Sequence, residues 1–195
     1  MRPDREFFRR SPEIIAHELI GFHILHQVDG DWVGGLIVET EAYRSQDDPA
    51  SHSRSGVTPR CQSMFCDGGT LYVYSIHAKY CLNLVTQCEG VGSAVLIRAI
   101  EPTTGVDSMQ IRRGHVDPFR LTRGPAMLCQ AMNVTKLDDG IDGLESPKWR
   151  LFRSDRPQPD VGCGPRIGIS QGRELPLRFF ERNNPFVSGP KRLHL

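Results

Sequence analysis

The segment VETEAY, residues 38–43, places two carboxylates and a tyrosine at alternate positions. Successive side chains of a β-strand point to opposite faces, so Glu39, Glu41 and Tyr43 would lie on one face. The opposite face would be buried through the residues that alternate with them, Val38, Thr40 and Ala42. The pattern therefore predicts a sheet that holds two acids beside an aromatic ring where a strand ends.

A second strand-like segment, VLIRAIEP at residues 95–102, is apolar except for Arg98. A guanidinium in the middle of such a strand is expected to be buried and to need an anionic partner. Either Glu39 or Glu41 can supply that charge.

Further strand-like segments recur along the chain. In order they are residues 22–27, 32–43, 70–76, 80–86, 95–102, 165–169 and 175–181. The short gap around His77, Ala78 and Lys79 predicts a β-hairpin. Residues 44–69 are polar and rich in Ser, Gly and Pro, which is typical of a long functional loop.

Helices are expected in two regions. Ser11, Pro12 and Glu13 form a helix start in which the serine is the N-cap. Residues 103–133 look helical in two pieces, whereas residues 138–165 are expected to form surface structure. Together the segments predict one α+β domain over residues 1–195, with a curved, largely antiparallel sheet flanked by helices.

The overall charge is nearly balanced, with a net charge of +1 and a pI of about 7.7. Any nucleic-acid-binding face must therefore be local, and composition alone leaves such a partner undecided. The candidate cations are Arg44, Arg54, Arg60, Lys79, Lys191 and Arg192. No apolar run approaches the roughly 20 residues that span a bilayer, and the first residues lack a secretory apolar segment. We expect no membrane partner and a cytoplasmic, or in a bacterium nucleoid-associated, location.

The six cysteines include no C-x-x-C pair and no histidine at zinc-finger spacing. We expect reduced thiols that behave as small buried hydrophobes, with no metal and no cofactor. A metal-dependent hydrolase built from His52, Cys61, Cys66 and His77 is the alternative that these residue types leave open.

An ordered set of motifs then resembles the alkyladenine (3-methyladenine) DNA glycosylase family. The pieces between residues 36 and 102 are VETEAY, D-x-A-S-H-S, TPR, MF, G-x-L-Y-V-Y, Asn83 and R-A-x-E-P, followed by GPAMLCQAMNV, PRIGI and LPLRFFERNNPFVS. The resemblance implies a monofunctional enzyme that flips an alkylated or deaminated purine out of double-stranded DNA and hydrolyses its N-glycosidic bond, leaving an abasic site. It also implies a hairpin that protrudes into the minor groove. We expect a monomer.

The resemblance assigns roles to individual residues. Glu41 is the general base that activates water, Arg98 holds the same water and pairs with the acid, and the main-chain carbonyl of Ile167 is its third contact. Three further residues match the aromatic walls around the flipped base, namely Tyr43, His52 and Tyr74. Asn83 matches the asparagine that crowds the exocyclic amine of guanine and so excludes a normal base.

The hairpin tip departs from the family pattern. His77 stands where a tyrosine normally intercalates into DNA, and Ala78 stands where glycine is usual, which matters if the tip needs a positive φ. Other departures are Ser45, Cys61 and Met127. No lysine matches a Schiff-base nucleophile, and Lys79 is expected to meet phosphate instead.

Three alternatives and two questions of substrate stay open from the sequence. The protein could bind lesions on the same scaffold with little or no excision, be the metal-dependent hydrolase above, or be a structural module related only by fold. The preferred lesion among 3-methyladenine, 7-methylguanine, ethenoadenine and hypoxanthine is not fixed. Neither is the preference for double or single strands.

Overall fold

The computed structural model describes residues 1–190, and Lys191 and Arg192 lie outside the described residues. The described part is an α+β fold built on one antiparallel sheet of eight strands. The α+β prediction with a largely antiparallel sheet is therefore confirmed. No helix within residues 1–190 is long and apolar enough to cross a bilayer.

The helices and strands follow one another along the chain with few long connections. The helices are α1 (Arg5–Phe8), α2 (Pro12–Glu18), α3 (Val106–Arg113) and α4 (Pro125–Ala131), with short 3₁₀ helices at Gln62–Phe65, Pro118–Arg120 and Lys136–Asp138. The strands are β1 (Phe22–Val28), β2 (Asp31–Tyr43), β3 (Leu71–Ile76), β4 (Lys79–Val85), β5 (Ala94–Thr104), β6 (Trp149–Arg153), β7 (Val161–Gly164) and β8 (Arg178–Glu181). Their order in the sheet is β3-β4-β5-β2-β1-β6, and β8 pairs with both β2 and β7.

The long strand β2 organises the sheet because it has different partners along its length. Its first half pairs with β1, while Glu39, Thr40 and Glu41 pair with β8, and β5 runs along the other edge. The register with β5 is irregular on both sides of Glu39. Both acids therefore lie between β5 and β8.

Because the register is irregular, the prediction that Val38 shares a face of β2 with Thr40 and Ala42 is wrong. Thr40 and Ala42 do face the helical side, where the Thr40 hydroxyl donates to the carbonyl of Ala16 in α2. Val38 instead packs in a separate small cluster with Ala99, Phe180 and Val187. A bulge of this kind changes which face a side chain occupies.

The main hydrophobic core lies between the sheet and the helices. It is formed by wholly buried side chains from both layers, among them Ile15, Leu19, Ile37, Leu82, Ile97, Met109 and Leu128. Each such side chain stabilises the fold by roughly 1.5–3 kcal/mol relative to exposure, which fixes the sheet beneath the charged residues on its other face.

The strands β3 and β4 form the predicted hairpin, with Ile76 paired to Lys79 and a turn of two residues between them. His77 and Ala78 both have positive φ, 49° and 61°. Two positive φ values define the turn whose twist matches that of the paired strands. Ala78 therefore adopts the left-handed conformation that glycine would adopt with less strain. The entry of this tip into DNA stays a prediction.

Two local predictions were wrong. Residues 138–165 are not only surface structure, because they contain β6 and β7 and bury Trp149 to 2% exposure. Residues 165–169 form a loop rather than a strand, since Pro165 has no N–H for a ladder and Gly168 has a φ of +83°. The predicted helix start is confirmed, because Ser11 is the N-cap of α2 and Pro12 opens the helix, although the serine side chain makes no capping hydrogen bond in the described structure.

Candidate active site

Three buried charged side chains meet where β2, β5 and β8 lie side by side. Nε of Arg98 is 3.4 Å from Oε1 of Glu39, and its Nη1 is 3.2 Å from Oε1 of Glu41. Both carboxylates are wholly buried and Arg98 is 6% exposed. The prediction that Arg98 is buried beside an acid is confirmed, with both candidate acids as its partners.

Glu39 is fixed by groups from the end of the chain. Nη1 of Arg178 donates to Oε1 of Glu39 across 2.8 Å, and the N–H of Ser188 donates to Oε2 across 2.8 Å. A buried carboxylate is tolerated only when its charge is paired and its oxygens accept hydrogen bonds. These contacts make Glu39 an anchor between β2 and β8.

Glu41 has one acceptor position that no residue among 1–190 fills. Its Oε1 accepts the N–H of Ile167 at 2.7 Å and faces Arg98, and its Oε2 accepts the Tyr43 hydroxyl at 2.9 Å. A carboxylate offers about four lone-pair positions, two on each oxygen. The remaining position lies on Oε2, beside the hydroxyl of Tyr43.

Burial raises the pKa of Glu41 above its ordinary value of 4.5, because a desolvated carboxylate loses the stabilisation of water. Arg98, the N–H of Ile167 and the Tyr43 hydroxyl oppose this rise. Burial also acts against the charge of Arg98, but the two glutamates outweigh it and raise the pKa of the guanidinium. The result is a basic carboxylate beside a permanent cation.

The Ile167 peptide contacts both members of this pair. Its N–H donates to Glu41, and its carbonyl accepts Nη1 of Arg98 at 3.3 Å. Nη2 of Arg98 donates to the Ser188 hydroxyl at 3.2 Å. The structure thus brings together the three groups named from the sequence, Glu41, Arg98 and the Ile167 carbonyl, although their roles stay predictions.

A cavity of about 570 Å³ opens directly above the charged pair. Its lining includes the predicted site residues Tyr43, His52, Tyr74, Asn83, Arg98 and Ile167. Glu41 is not part of the lining, because it lies behind Tyr43 and Arg98. A volume of this size falls within the roughly 300–1,000 Å³ of small-molecule sites.

Aromatic rings form one wall of the cavity. The His52 ring meets the Tyr74 ring edge to face, with centroids 4.6 Å apart and planes at 84°. Nδ1 of His52 shares a hydrogen bond of 2.8 Å with the hydroxyl of Tyr72. Burial, together with the nearby Arg60, lowers the pKa of His52 below 6.5, which keeps the ring neutral at pH 7.

Asn83 lies on the floor of the cavity and is held rigidly. Its amide nitrogen donates to the carbonyl of Tyr72 at 2.9 Å and to that of Cys81 at 3.4 Å. The side chain is 3% exposed. An amide that cannot turn aside is suited to rejecting a base by steric contact.

Sequence reasoning missed three residues around this cavity. Tyr72 holds His52 in place, and Arg166 and Asp48 form a buried ion pair beside Tyr43. Arg166 is in the PRIGI motif and Asp48 in the D-x-A-S-H-S motif, so both motifs carried the signal. Their partnership was hidden because the two are 118 residues apart in the chain.

The cysteines and histidines do not assemble into a metal-binding group anywhere in residues 1–190. The four ligands of the metal-dependent alternative are thus not brought together. All six cysteines are free, and Cys88 and Cys163 are exposed, so the prediction of burial was wrong for these two.

A sheet that carries a buried carboxylate and arginine beneath an aromatic cavity suits an enzyme that hydrolyses N-glycosyl bonds. The chain belongs to the methylpurine-DNA glycosylase family, whose model, described as "Methylpurine-DNA glycosylase (MPG)", matches residues 6–185. It is therefore a DNA glycosylase, a hydrolase that acts on N-glycosyl bonds, and its substrate is DNA.

Relatives named "Putative 3-methyladenine DNA glycosylase" support the same assignment. One from Rhodopirellula baltica is 49% identical over 195 residues, which cover 97% of this chain and 84% of the relative. Another from Granulibacter bethesdensis is 45% identical over 192 residues, covering 95% and 86%. A third from Nitrosospira multiformis is 45% identical over 186 residues, covering 95% and 93%.

Proposed function

We propose that this enzyme excises alkylated or deaminated purines, of the 3-methyladenine type, after flipping them out of double-stranded DNA. Hydrolysis of the N-glycosidic bond releases the base and leaves an abasic site. The observation that carries the proposal is the ionisable Glu41, buried with Arg98 immediately behind an aromatic-walled cavity.

Glu41 acts as the general base in this proposal. The free acceptor position on Oε2 receives a proton from the attacking water, and a carboxylate of raised pKa is a stronger base than an ordinary glutamate. Arg98 and the Ile167 carbonyl position that water. The same negative charge stabilises the positive charge that develops on the sugar as the base departs.

The reaction proposed is hydrolysis without a covalent intermediate on lysine. No lysine lines the cavity in the described part of the chain, so no amine is placed to attack the sugar. The product is then an abasic site in an uncut strand.

The cavity recognises the flipped base through its flat walls. Tyr43, His52 and Tyr74 stack on or flank the purine, and each stacked ring contributes roughly 1–3 kcal/mol. Asn83 excludes undamaged guanine by contact with its exocyclic amine. The neutral ring of His52 leaves the cavity free of an added positive charge from this wall.

A local basic surface around the cavity mouth binds the phosphates. Arg54 donates to Gln171 at the rim, Arg60 lies 5.6 Å from the Tyr74 ring centroid, and Lys79 ends the hairpin turn. None of the three makes an ion pair with a described residue. Arg44 differs, because Glu13 and Asp47 compensate its charge. His77 at the tip fills the gap in the duplex left by the flipped base, and the enzyme works as a monomer.

The test uses duplexes that carry 3-methyladenine, 7-methylguanine, ethenoadenine or hypoxanthine at one position. Alkali cleaves any abasic site formed, so strand breaks report excision and show which lesion is preferred. The expected result is cleavage that depends on enzyme and alkali together. Tight lesion binding without breaks would favour the alternative of a lesion-binding protein with little excision.

A further inference from the structure

The ion pair between Asp48 and Arg166 joins the two loops that border the cavity. Nη1 of Arg166 is 2.6 Å from Oδ2 of Asp48, and Nη2 is 2.7 Å from Oδ1. Two parallel contacts of this kind fix both position and orientation. Both side chains are wholly buried, and neither lines the cavity.

The Arg166 guanidinium also holds the end of β2. It donates to the carbonyl of Ala42 at 3.0 Å, and its central carbon lies 4.6 Å from the centroid of the Tyr43 ring. Ala42 is the residue between Glu41 and Tyr43. One side chain therefore touches the backbone and the ring that adjoin the proposed base.

The residue after Arg166 contacts the proposed base directly. Ile167 donates its N–H to Glu41 and offers its carbonyl to Arg98. The ion pair that holds Arg166 to Asp48 thus fixes the position of the neighbouring Ile167 peptide. Burial acts to lower the pKa of Arg166, but the hydrogen bonds and charge of Asp48 raise it, and attraction to Tyr43 and Glu41 adds smaller contributions. The attraction between Arg166 and Glu41 also favours the ionised form of the carboxylate.

We infer that Asp48 and Arg166 are a positioning pair that orients Glu41 and the Ile167 carbonyl. This inference rests on the proposed function. It assigns the pair to the hydrolytic step, because Arg166 contacts the backbone beside Glu41. Neither Asp48 nor Arg166 lines the cavity proposed for the purine. Loss of the pair is expected to slow excision while binding of the lesion changes little.

Other groups also set the charge state of Glu41. The charged or titratable side chains that interact with it come from several elements and are Glu39, Tyr43, Tyr74, Cys81, Arg98 and Arg166. Variants at positions 48 and 166 leave the other five in place. Changes in pH dependence can then be traced to the pair.

The test compares three variants whose effects on Glu41 differ in sign. Arg166→Gln removes a cation, so ionised Glu41 is less stable and the acid limb of the excision rate should move to higher pH. Asp48→Asn leaves Arg166 uncompensated, so the limb should move to lower pH. Arg166→Lys keeps the positive charge but loses the two parallel hydrogen bonds to Asp48. The excision rate should therefore fall while its acid limb stays near that of the parent protein.

The measurement is the single-turnover excision rate against pH on a hypoxanthine duplex, with the dissociation constant of the same duplex and the thermal unfolding midpoint. Arg156→Gln is the matched control, because Arg156 is paired with Glu181 and Glu101 outside the cavity. If Asp48→Asn fails to fold, the two Arg166 variants carry the comparison.

The outcomes separate the inference from the proposed function. Opposite displacements in Arg166→Gln and Asp48→Asn, with binding within about threefold of the parent, support the positioning pair. The positioning pair is overturned if the acid limb of the excision rate lies at the same pH in Arg166→Gln and Arg166→Lys. It is also overturned if lesion binding falls by as much as the excision rate. Absence of excision by the parent protein would instead overturn the proposed function.

Discussion

The hydroxyl of Tyr43 donates a hydrogen bond of 2.9 Å to Oε2 of Glu41, two residues earlier on the same strand. The ring of Tyr43 lines the cavity, whereas Glu41 lies behind it. One side chain therefore touches both the space for a base and the oxygen that has a free acceptor position. In the proposed mechanism, the position of the bound purine is linked through this tyrosine to the group that activates water.

Glu41→Gln is expected to reduce excision by about 10²–10⁴-fold, because an amide cannot take a proton from water. Binding of a lesion duplex should stay close to that of the parent, since Glu41 does not line the cavity. Single-turnover rates and dissociation constants on one duplex give both values. Substantial residual excision would exclude Glu41 as the base and point to Glu39.

The excision rate is expected to rise with pH and to have its acid limb above 4.5. Burial raises the pKa of Glu41, so the base is protonated and inactive over a wider acidic range than an ordinary glutamate. Single-turnover rates measured between about pH 4 and pH 8 on a lesion that is stable in acid provide the check. A limb at or below the ordinary value would contradict the buried carboxylate as base.

Tyr72→Phe is expected to weaken lesion binding by about 5- to 100-fold. The change removes the hydroxyl bonded to Nδ1 of His52, and a half-buried nitrogen without a partner costs about 1–3 kcal/mol. Dissociation constants measured with a lesion duplex test this. Tyr80→Phe on β4 is the matched control, because Tyr80 does not line the cavity. Equal losses of lesion binding in Tyr72→Phe and Tyr80→Phe would mean that Tyr72 has no specific role in the site.

His77→Tyr is expected to tighten binding to a well-paired lesion duplex by about fivefold, since a phenol ring replaces more of the lost stacking than imidazole does. His77→Ala should weaken binding but leave hydrolysis of an already flipped base unchanged. Dissociation constants and single-turnover rates are measured for both variants on one lesion placed opposite T and opposite a mismatch. The difference in binding between the well-paired and the mismatched duplex should be smaller for His77→Tyr than for the parent.

A tyrosine variant that binds no better would mean that another tip residue enters the duplex. Ile76 is 44% exposed and also lines the cavity, and Lys79 is its pair across the turn. Ile76→Ala would then weaken binding more than His77→Ala.

Lys79→Gln and Arg54→Gln are each expected to lower the slope of log Kd against log salt by about 0.9. Each removes a cation that has no ion-pair partner among residues 1–190. Arg44→Gln is the control, because Glu13 and Asp47 already compensate its charge. A titration of binding between about 50 and 200 mM salt distinguishes the three. Unchanged slopes for Lys79 and Arg54 would place the phosphates elsewhere.

The strands that the sequence predicts well are those with long apolar or alternating patterns. VETEAY and VLIRAIEP lie in β2 and β5, and the hairpin falls where its turn residues indicate. Short edge elements such as β6 are hidden, because five residues in a polar setting acquire their register from β1. The displacement of Val38 from its expected face depends on a bulge, which no local pattern encodes.

The candidate site shows the same division. Arg98 could be predicted from the sequence to pair with an acid, because a buried charge in an apolar strand is costly unless an opposite charge lies beside it. The sequence does not reveal that Glu39 is anchored by Arg178, or that Arg166 meets Asp48, since both contacts join distant parts of the chain. Long-range pairs of charges become visible only in three dimensions.

The pairing of β2 with β8 has a consequence for the order in which this chain can fold. β2 ends at residue 43 and β8 begins at residue 178, so most of the chain must be synthesised before the two strands can meet. Until then Glu39 lacks Arg178 and Glu41 lacks Ile167, and neither carboxylate can stay desolvated. Contacts between such distant segments form late. A nascent or truncated chain that lacks β8 therefore lacks the assembled site that we propose for hydrolysis.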